Sequence, residues 1–350
     1  MKTVYVNTSK PYYVYIGSGI INTLGEKLTA TTKAAKVAIV SDSNVWPIYG
    51  ESVIKNLANA NFDVSTFVFP AGEESKRGEV YLSMLEQLAN EQLTRSDCIV
   101  ALGGGVVGDM AGFAAATFLR GIDYVQIPTT VLSAVDSSVG GKTAIDLKAG
   151  KNLVGAFYQP LFVLCDTDML SSLPRRIFLD GCAEIIKYGV LYDHELFDHL
   201  LQYGAEFNLI NTICRCIELK RDVVSSDEFD RGQRAFLNLG HTIGHAIEAQ
   251  SNFGISHGQA VAAGMAIISR SAAKQGFCSA ETAKRIENVL AKFDLPTKTD
   301  LSAKQLFSAA LSDKKRSGNK VPLILPQRIG KCMTHTVTTD QLESFIEAGL

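Results

Sequence analysis

The 350-residue sequence predicts an α/β, Rossmann-like N-terminal half followed by a mostly α-helical C-terminal half. Three observations carry that expectation. From about residue 36 to 166, short β-branched runs alternate with helical patterns, as in βαβ units on a parallel sheet. One of these runs opens into a glycine-rich turn, "CIVALGGGVVGDMAGF". After about residue 174, segments of 3.6-residue period follow one another with few strand candidates. Single cores rarely grow beyond roughly 250–300 residues, so two domains are expected, 1–173 and 174–350. The boundary falls in "LSSLP" (170–174), where the residue before proline is pushed out of the helical region.

In chain order, "MKTVYVNTSKPYYVYIGSG" alternates apolar with polar residues and reads as a strand pair. It has no apolar signal-peptide core, so a cytoplasmic protein is expected. Strands are expected at 36–42, 64–70, 97–105, 123–130 and 161–167, with helices between them, notably 75–93 and 108–121. The second half holds "EIIKYGVLYD", "LINTICRCIELKRDVV", "QAVAAGMAIISRSAAKQG" and "AKRIENVLAKF", all helical in period. Its apolar runs, like those of the first half, stop short of the roughly 18 residues a membrane span needs. A net charge of −2 gives no global reason to bind nucleic acid or an anionic membrane. The seven cysteines are scattered, and "CRC" (214–216) lacks the two-residue spacer of a thiol redox motif. Buried free thiols are expected.

Gly103, Gly105 and Gly108 satisfy G-x-G-x-x-G between a strand and a helix. In that setting bare backbone approaches a pyrophosphate, and the helix N-terminus offers unpaired N–H groups. The alternative is a tight turn in which glycine supplies only positive φ. A ribose-binding acid is sought about 20 residues on. Asp123 stands there but begins a strand; Asp42, after the first parallel strand, is the better placed, unless it only caps a turn.

"RAFLNLGHTIGHAIEA" (234–249) places Arg234, Asn238, His241 and His245 on one stripe of an expected helix. Four convergent polar groups in an apolar helix cost several kcal/mol if unpaired, so this face meets a ligand or a metal. His241 and His245 have the spacing of the zinc pair in H-E-x-x-H, yet position 242 is threonine and the general-base glutamate is absent. A peptidase is thereby excluded. His257 offers a third nitrogen. Glu184 and Lys187 share a helical face, either as functional groups or as a surface ion pair. Lys142, Lys151, Lys220 and Arg120, with the neutral Asn152, complete the set; Lys142 lies in "GGKTAID" and Lys151 and Asn152 in "AGKNLVG", where small residues shape the chain around an anion.

Together "PAGEESK", "ALGGGVVGDMAGFAAATFLRG", "IPTTVLSAVDSSVGGKTAID", "KNLVGAFYQP", "GCAEIIKYG", "SSDE", "FLNLGHTIGHAIE" and "HGQAVAAGM" resemble the 3-dehydroquinate synthase family over about residues 36 to 330. The resemblance implies an NAD-binding domain and a helical metal- and substrate-binding domain, with the active site in the cleft between them. It implies an enzyme that converts 3-deoxy-D-arabino-heptulosonate 7-phosphate to 3-dehydroquinate and phosphate in the shikimate pathway. The cofactors implied are NAD and one divalent metal, most often zinc, with cobalt an alternative. Oxidation of a substrate hydroxyl, phosphate elimination, re-reduction, ring opening and an internal aldol closure follow in turn, and the leaving phosphate takes the proton.

Residue by residue, the family's metal positions fall on Glu184, His241 and His257, which leaves His245 as a contact to the substrate phosphate. Its NAD positions fall on Asp42, Asn44, Glu73, Lys76, Gly104, Gly105, Val106, Asp109, Thr129, Thr130, Lys142, Lys151 and Ser172, the last often threonine in the family. Substrate positions fall on Asp136, Lys142, Asn152, Lys187, Lys220, Arg234, Asn238 and, within "DKKRSGNK", Lys314. Arg120 reaches the substrate of a neighbouring subunit, which implies a homodimer. The rivals are a related cyclase making an inosose or valiolone, and a polyol dehydrogenase; Arg234, Lys220 and Asn238 favour a substrate bearing a carboxylate.

Overall fold

The computed structural model describes residues 1–251, 254–311 and 319–350. Lys314 lies outside the described residues. The chain divides into two compact units, Met1–Leu173 with Leu209–Phe229, and Pro174–Asn208 with Asp230–Leu350.

In the first unit the elements run β1 (Lys2–Val6), β2 (Tyr12–Gly17), α1 (Leu24–Thr31), β3 (Lys36–Asp42), α2 (Trp46–Asn59), β4 (Asp63–Phe69), α3 (Gly78–Asn90), β5 (Cys98–Gly103), α4 (Gly105–Thr117), β6 (Asp123–Pro128), β7 (Lys142–Leu147), β8 (Gly150–Phe157) and β9 (Phe162–Asp166). Seven strands form one sheet in the order β1-β2-β9-β6-β5-β3-β4. All neighbours are parallel except β1 and β2, the N-terminal pair read from its alternation. Every residue of β5 is buried, as expected of a central strand covered on both faces.

Two apolar clusters provide that cover. One packs Leu24, Leu28, Val53 and Leu57 of α1 and α2 against Val37, Ile39 and Val100. The other packs Met84 and Leu88 of α3 with Val107, Met110 and Ala111 of α4 against Ala38, Val40 and Ala101. The strand order reverses at β3, since β4 lies on one side of it and β5 on the other. Ligands of open α/β sheets bind beyond the carboxyl ends of strands at such a reversal. Asp42 ends β3 and Gly103 ends β5, so both stand at that point.

In the remainder of the chain the elements are α5 (Arg175–Tyr192), α6 (His194–Tyr203), α7 (Leu209–Ser226), α8 (His241–Gln250), α9 (His257–Lys274), α10 (Ala280–Lys292), α11 (Ala303–Ala310), β10 (Lys320–Arg328), β11 (Lys331–Thr338) and α12 (Thr339–Gly349). The antiparallel β10–β11 ribbon is an addition to the helical pattern expected of this half.

A larger departure concerns α7. Expected with the C-terminal domain, it belongs to the first unit, where it packs on β1, β2 and the turn at Ser133–Ser137. Its buried Ile213, Cys216, Ile217 and Val224 supply the apolar face. Lys220, buried, donates to the carbonyl of Asp136 at 2.6 Å and pairs with its carboxylate. Just beyond, Glu228 accepts from the main chain and hydroxyl of Ser9, each at 2.8 Å, and from Gln159 at 2.9 Å. Helical period reveals that a segment is a helix; which core receives its apolar face depends on partners about 80 to 220 residues away.

The cysteines are free, and Cys98, Cys165, Cys182, Cys214 and Cys216 are buried. Burial pushes the Cys165 thiol up to about 12, as befits an inert core residue.

Candidate active site

In the first unit the glycine turn meets the backbone requirements of a phosphate loop. Gly104 is the N-cap of α4, so the helix begins at Gly105, three residues earlier than the spacing suggested. A Cβ on Gly108 would stand 2.7 Å from Gln126 of β6, which makes this glycine the one that lets helix and strand approach. Cβ atoms on Gly104 and Gly105 would stand 3.0 Å from Thr130 and 3.2 Å from Ser137, so the cradle is shaped by bare backbone. Thr129, at the carboxyl end of β6, donates its N–H to the Gly103 carbonyl, and its buried hydroxyl has no hydrogen-bond partner. An orphaned buried hydroxyl costs about 1–3 kcal/mol and asks for a ligand atom. These features fit a dinucleotide.

Around that loop, Asp42 Oδ1 accepts from the N–H groups of Asn44 and Val45 at 2.8 and 3.0 Å. The turn-capping role considered for it is therefore present, alongside its place at the end of β3. Ser172 accepts from the Tyr49 hydroxyl at 2.7 Å. Lys76, only 4% exposed, pairs with Asp109 and donates to Asn152 Oδ1. Burial works against its charge, but Asp109 and Glu73 outweigh it and raise the ammonium above its ordinary value. Lys151 Nζ lies 3.6 Å from Glu73. Arg120 and the preceding Leu119 stand at φ 68° and 50°, the left-handed region that non-glycine residues seldom occupy.

The second unit contributes the histidines. Arg234, Asn238, His241 and His245 do not share one helix. Residues Gln233–Asn238 form a short 3-10 helix, the chain breaks at Leu239 and Gly240, and α8 starts afresh at His241. Gly240 takes φ 77°, and a Cβ there would stand 2.7 Å from the Val261 carbonyl oxygen and 2.6 Å from Met265. Close packing on α9 overrides the continuous helical period. Arg234 is buried and Asn238 Nδ2 donates to the Ala235 carbonyl at 2.9 Å.

Glycine contacts extend along this pair of helices. A Cβ on Gly264 would stand 2.1 Å from the Gly240 carbonyl oxygen, and one on Gly258 only 1.9 Å from the Asp180 carbonyl oxygen of α5. Backbone therefore lies on backbone, and this brings the first residues of α8 and α9, His241 and His257, to Glu184 on α5. Gly264→Ala is expected to force these helices apart at a cost of about 1–3 kcal/mol or more. It should lower the thermal midpoint and the bound-metal stoichiometry together, as measured by calorimetry and metal analysis.

Glu184 is 1% exposed, and its carboxylate faces Lys187, His241 and His257. Its Oε1 lies 3.6 Å from His241 Nε2 and 3.4 Å from His257 Nε2. The three ligand atoms fall within 4.8 Å of one another. Lys187, equally buried, pairs with Oε2, so the surface ion-pair reading of Glu184 and Lys187 is excluded.

The outer ring nitrogens set the tautomers. His241 Nδ1 lies 3.0 Å from the Leu239 carbonyl, which can only accept, so this nitrogen carries the proton and Nε2 keeps its lone pair. His257 Nδ1 lies 3.4 Å from Glu248 Oε2, a carboxylate–histidine arrangement that orients metal ligands. Burial disfavours a charged His257, yet hydrogen bonding to Glu184 and Glu248 pushes its pKa up to about 10 without a metal. A metal entering at neutral pH therefore displaces a proton. A buried carboxylate facing two oriented imidazoles fits zinc, whose catalytic sites take three protein ligands and keep a position open.

A second grouping, His245, Glu248 and His257, also has ligand spacing. It competes for the same His257 but would detach Glu248 from its orienting role and leave out Glu184, which faces the same imidazole. His245 lies beside the first set, its ring 5.5 Å from that of His241. Glu248 escaped the sequence reading; its signal was a carboxylate three residues after His245 in an otherwise apolar helix.

The chain is similar to known proteins along most of its length. The family model described as 3-dehydroquinate synthase N-terminal matches residues 66–180, and that described as 3-dehydroquinate synthase C-terminal matches 181–316. The 3-dehydroquinate synthase of Clostridium acetobutylicum is 40% identical over 353 residues, covering 99% of each chain. A 2-deoxy-scyllo-inosose synthase solved with carbaglucose-6-phosphate, NAD+ and Co2+ superposes with a TM-score of 0.88 at 27% identity and full coverage of both chains. The 2-epi-5-epi-valiolone synthase of Streptomyces hygroscopicus, solved with NAD+ and Zn2+, gives a TM-score of 0.89 at 25% identity, covering 99% of this chain and 98% of that one. With both family models matched across most of its length and a relative at that identity aligned end to end, the chain belongs to the 3-dehydroquinate synthase family.

Proposed function

We propose that this chain converts 3-deoxy-D-arabino-heptulosonate 7-phosphate to 3-dehydroquinate and inorganic phosphate, with NAD and one divalent metal, zinc by the preference of its donor set. The observation that supports this most directly is the cluster of Glu184, His241 and His257 in a chain of this family. When bound, the metal supplies a Lewis acid toward a substrate hydroxyl and NAD a transient hydride acceptor that is restored within the cycle.

Glu184 Oε1 and the Nε2 atoms of His241 and His257 hold the metal, oriented by the Leu239 carbonyl and Glu248. Lys187 balances the second oxygen of Glu184 and offers its remaining N–H donors to the substrate. Arg234, Asn238 and Lys220 recognise the substrate carboxylate; Asp136 sets the position of the Lys220 ammonium. Lys142, Asn152, His245 and Lys314 recognise the phosphate, a dianionic group that lysine and histidine donors suit. The dinucleotide is held by Asp42, Asn44, Glu73, Lys76, Gly104, Gly105, Val106, Asp109, Thr129, Thr130, Lys142, Lys151 and Ser172. The active enzyme is a cytoplasmic homodimer in which Arg120 completes the partner's substrate site; its left-handed backbone is the kind of strain that persists where function uses it.

Phosphate release from the heptulosonate phosphate tests the reading. Release is expected to need both NAD and metal, to stop on chelation, and to proceed without accumulation of NADH. No release from the metal-loaded, NAD-supplied enzyme, or NADH accumulating with glycerol, would overturn it.

A further inference from the structure

The β7–β8 hairpin carries Lys142, Lys151 and Asn152 and is fastened to the segment before α3 from both strands. Asp146 donates its main-chain N–H to the Lys76 carbonyl at 2.7 Å, while the Lys76 ammonium reaches across to Asn152 Oδ1 and Asp109. Asn152 stands at φ 55°. Few non-glycine residues enter that region without local support, asparagine most readily. Asp146 supplies that support: its Oδ1 accepts the Asn152 main-chain N–H at 2.7 Å. The pairing register shifts between Ile145 and Leu147, so Asp146 sits at a bulge, a device that re-aims a side chain.

We infer that Asp146 is a positioning residue: its carboxylate holds Asn152 in the left-handed conformation, so that Lys76 takes the amide oxygen of Asn152 and turns the amide nitrogen away from Lys76 as a donor. This rests on the proposed role of Asn152 as a substrate contact. One ammonium then joins Asp109, assigned to the dinucleotide, to Asn152, assigned to the substrate. The Asp146 carboxylate acts by holding the Asn152 main chain.

The test is steady-state phosphate release by the NAD- and zinc-loaded enzyme. Asp146→Ala is expected to raise KM for the heptulosonate phosphate about tenfold, the scale of one charge-assisted hydrogen bond, with a smaller change in kcat. Asp146→Asn keeps an acceptor for the Asn152 N–H and is expected to stay within about threefold of the parent. In an Asn152→Ala background, Asp146→Ala should add almost nothing, because coupled residues are not additive. Asp146→Ser, polar but too short to reach, is expected to match Asp146→Ala and serves if the latter does not fold. An unchanged KM in Asp146→Ala or Asp146→Ser, or full additivity with Asn152→Ala, overturns the inference while leaving the functional reading intact. A parent chain that releases no phosphate overturns both.

Discussion

His241→Ala is expected to leave the protein without its metal and to lower phosphate release by about three orders of magnitude, since a Lewis acid supplies several kcal/mol of transition-state stabilisation. The His241 Nε2 lies 3.6 Å from the Glu184 carboxylate. Glu184→Gln should behave alike and also leave the buried Lys187 ammonium without its carboxylate. His245→Ala, by contrast, should keep the metal while turnover falls. Glu248→Ala belongs between these extremes: it removes only the group that orients His257, so metal affinity should weaken about 10–100-fold. Metal analysis of the four purified variants decides the matter. Metal lost in His245→Ala and kept in His241→Ala would transfer the site to the His245, Glu248 and His257 grouping, and equal loss in the two would refute the assignment of His245 as a non-ligand.

The second large effect concerns stability. Asp136→Ala strips Lys220 of its carboxylate while the ammonium stays buried, and breaking a buried pair from one side costs about 3–5 kcal/mol. Lys220→Met should cost less, because the surviving Asp136 side chain, 16% exposed, reaches solvent more readily than the lysine, 6% exposed. The double variant Asp136→Ala with Lys220→Met is expected to recover part of the loss, since it removes both charges together. Urea denaturation read as a double-mutant cycle measures this coupling. Additive losses would mean that α7 is held to the first unit by its apolar face alone, without help from the ion pair.

The glycine loop illustrates what is readable locally. Strand, turn and helix succeed one another within about 20 residues, and each glycine's role follows from a neighbour close in the chain or on the adjoining strand. The metal cluster does not have that property. Spacing singled out His241 and His245, four apart, whereas the cluster joins His241 to Glu184 and His257, 57 and 16 residues away by number. The resemblance to a known family named a trio whose ligand atoms the structure brings within 4.8 Å of one another, where periodicity alone suggested a different pair; whether these three hold the metal is what the variants test.

The order of apolar and polar residues determined that the N-terminal half is a parallel α/β sheet, that the C-terminal half is largely helical, and where the glycine-rich turn between strand and helix lies. Those features depend on backbone sterics and on periodicities of two and 3.6 residues, which act over a few neighbours. Tertiary structure alone decided that α7 joins the first unit, that the helix expected around His241 breaks at Gly240, and that Glu248 stands behind His257. Each of these is settled by which distant surface comes into contact, through a carbonyl that leaves no room for a Cβ or a carboxylate that compensates a buried cation, and such pairings leave no periodic mark in the chain.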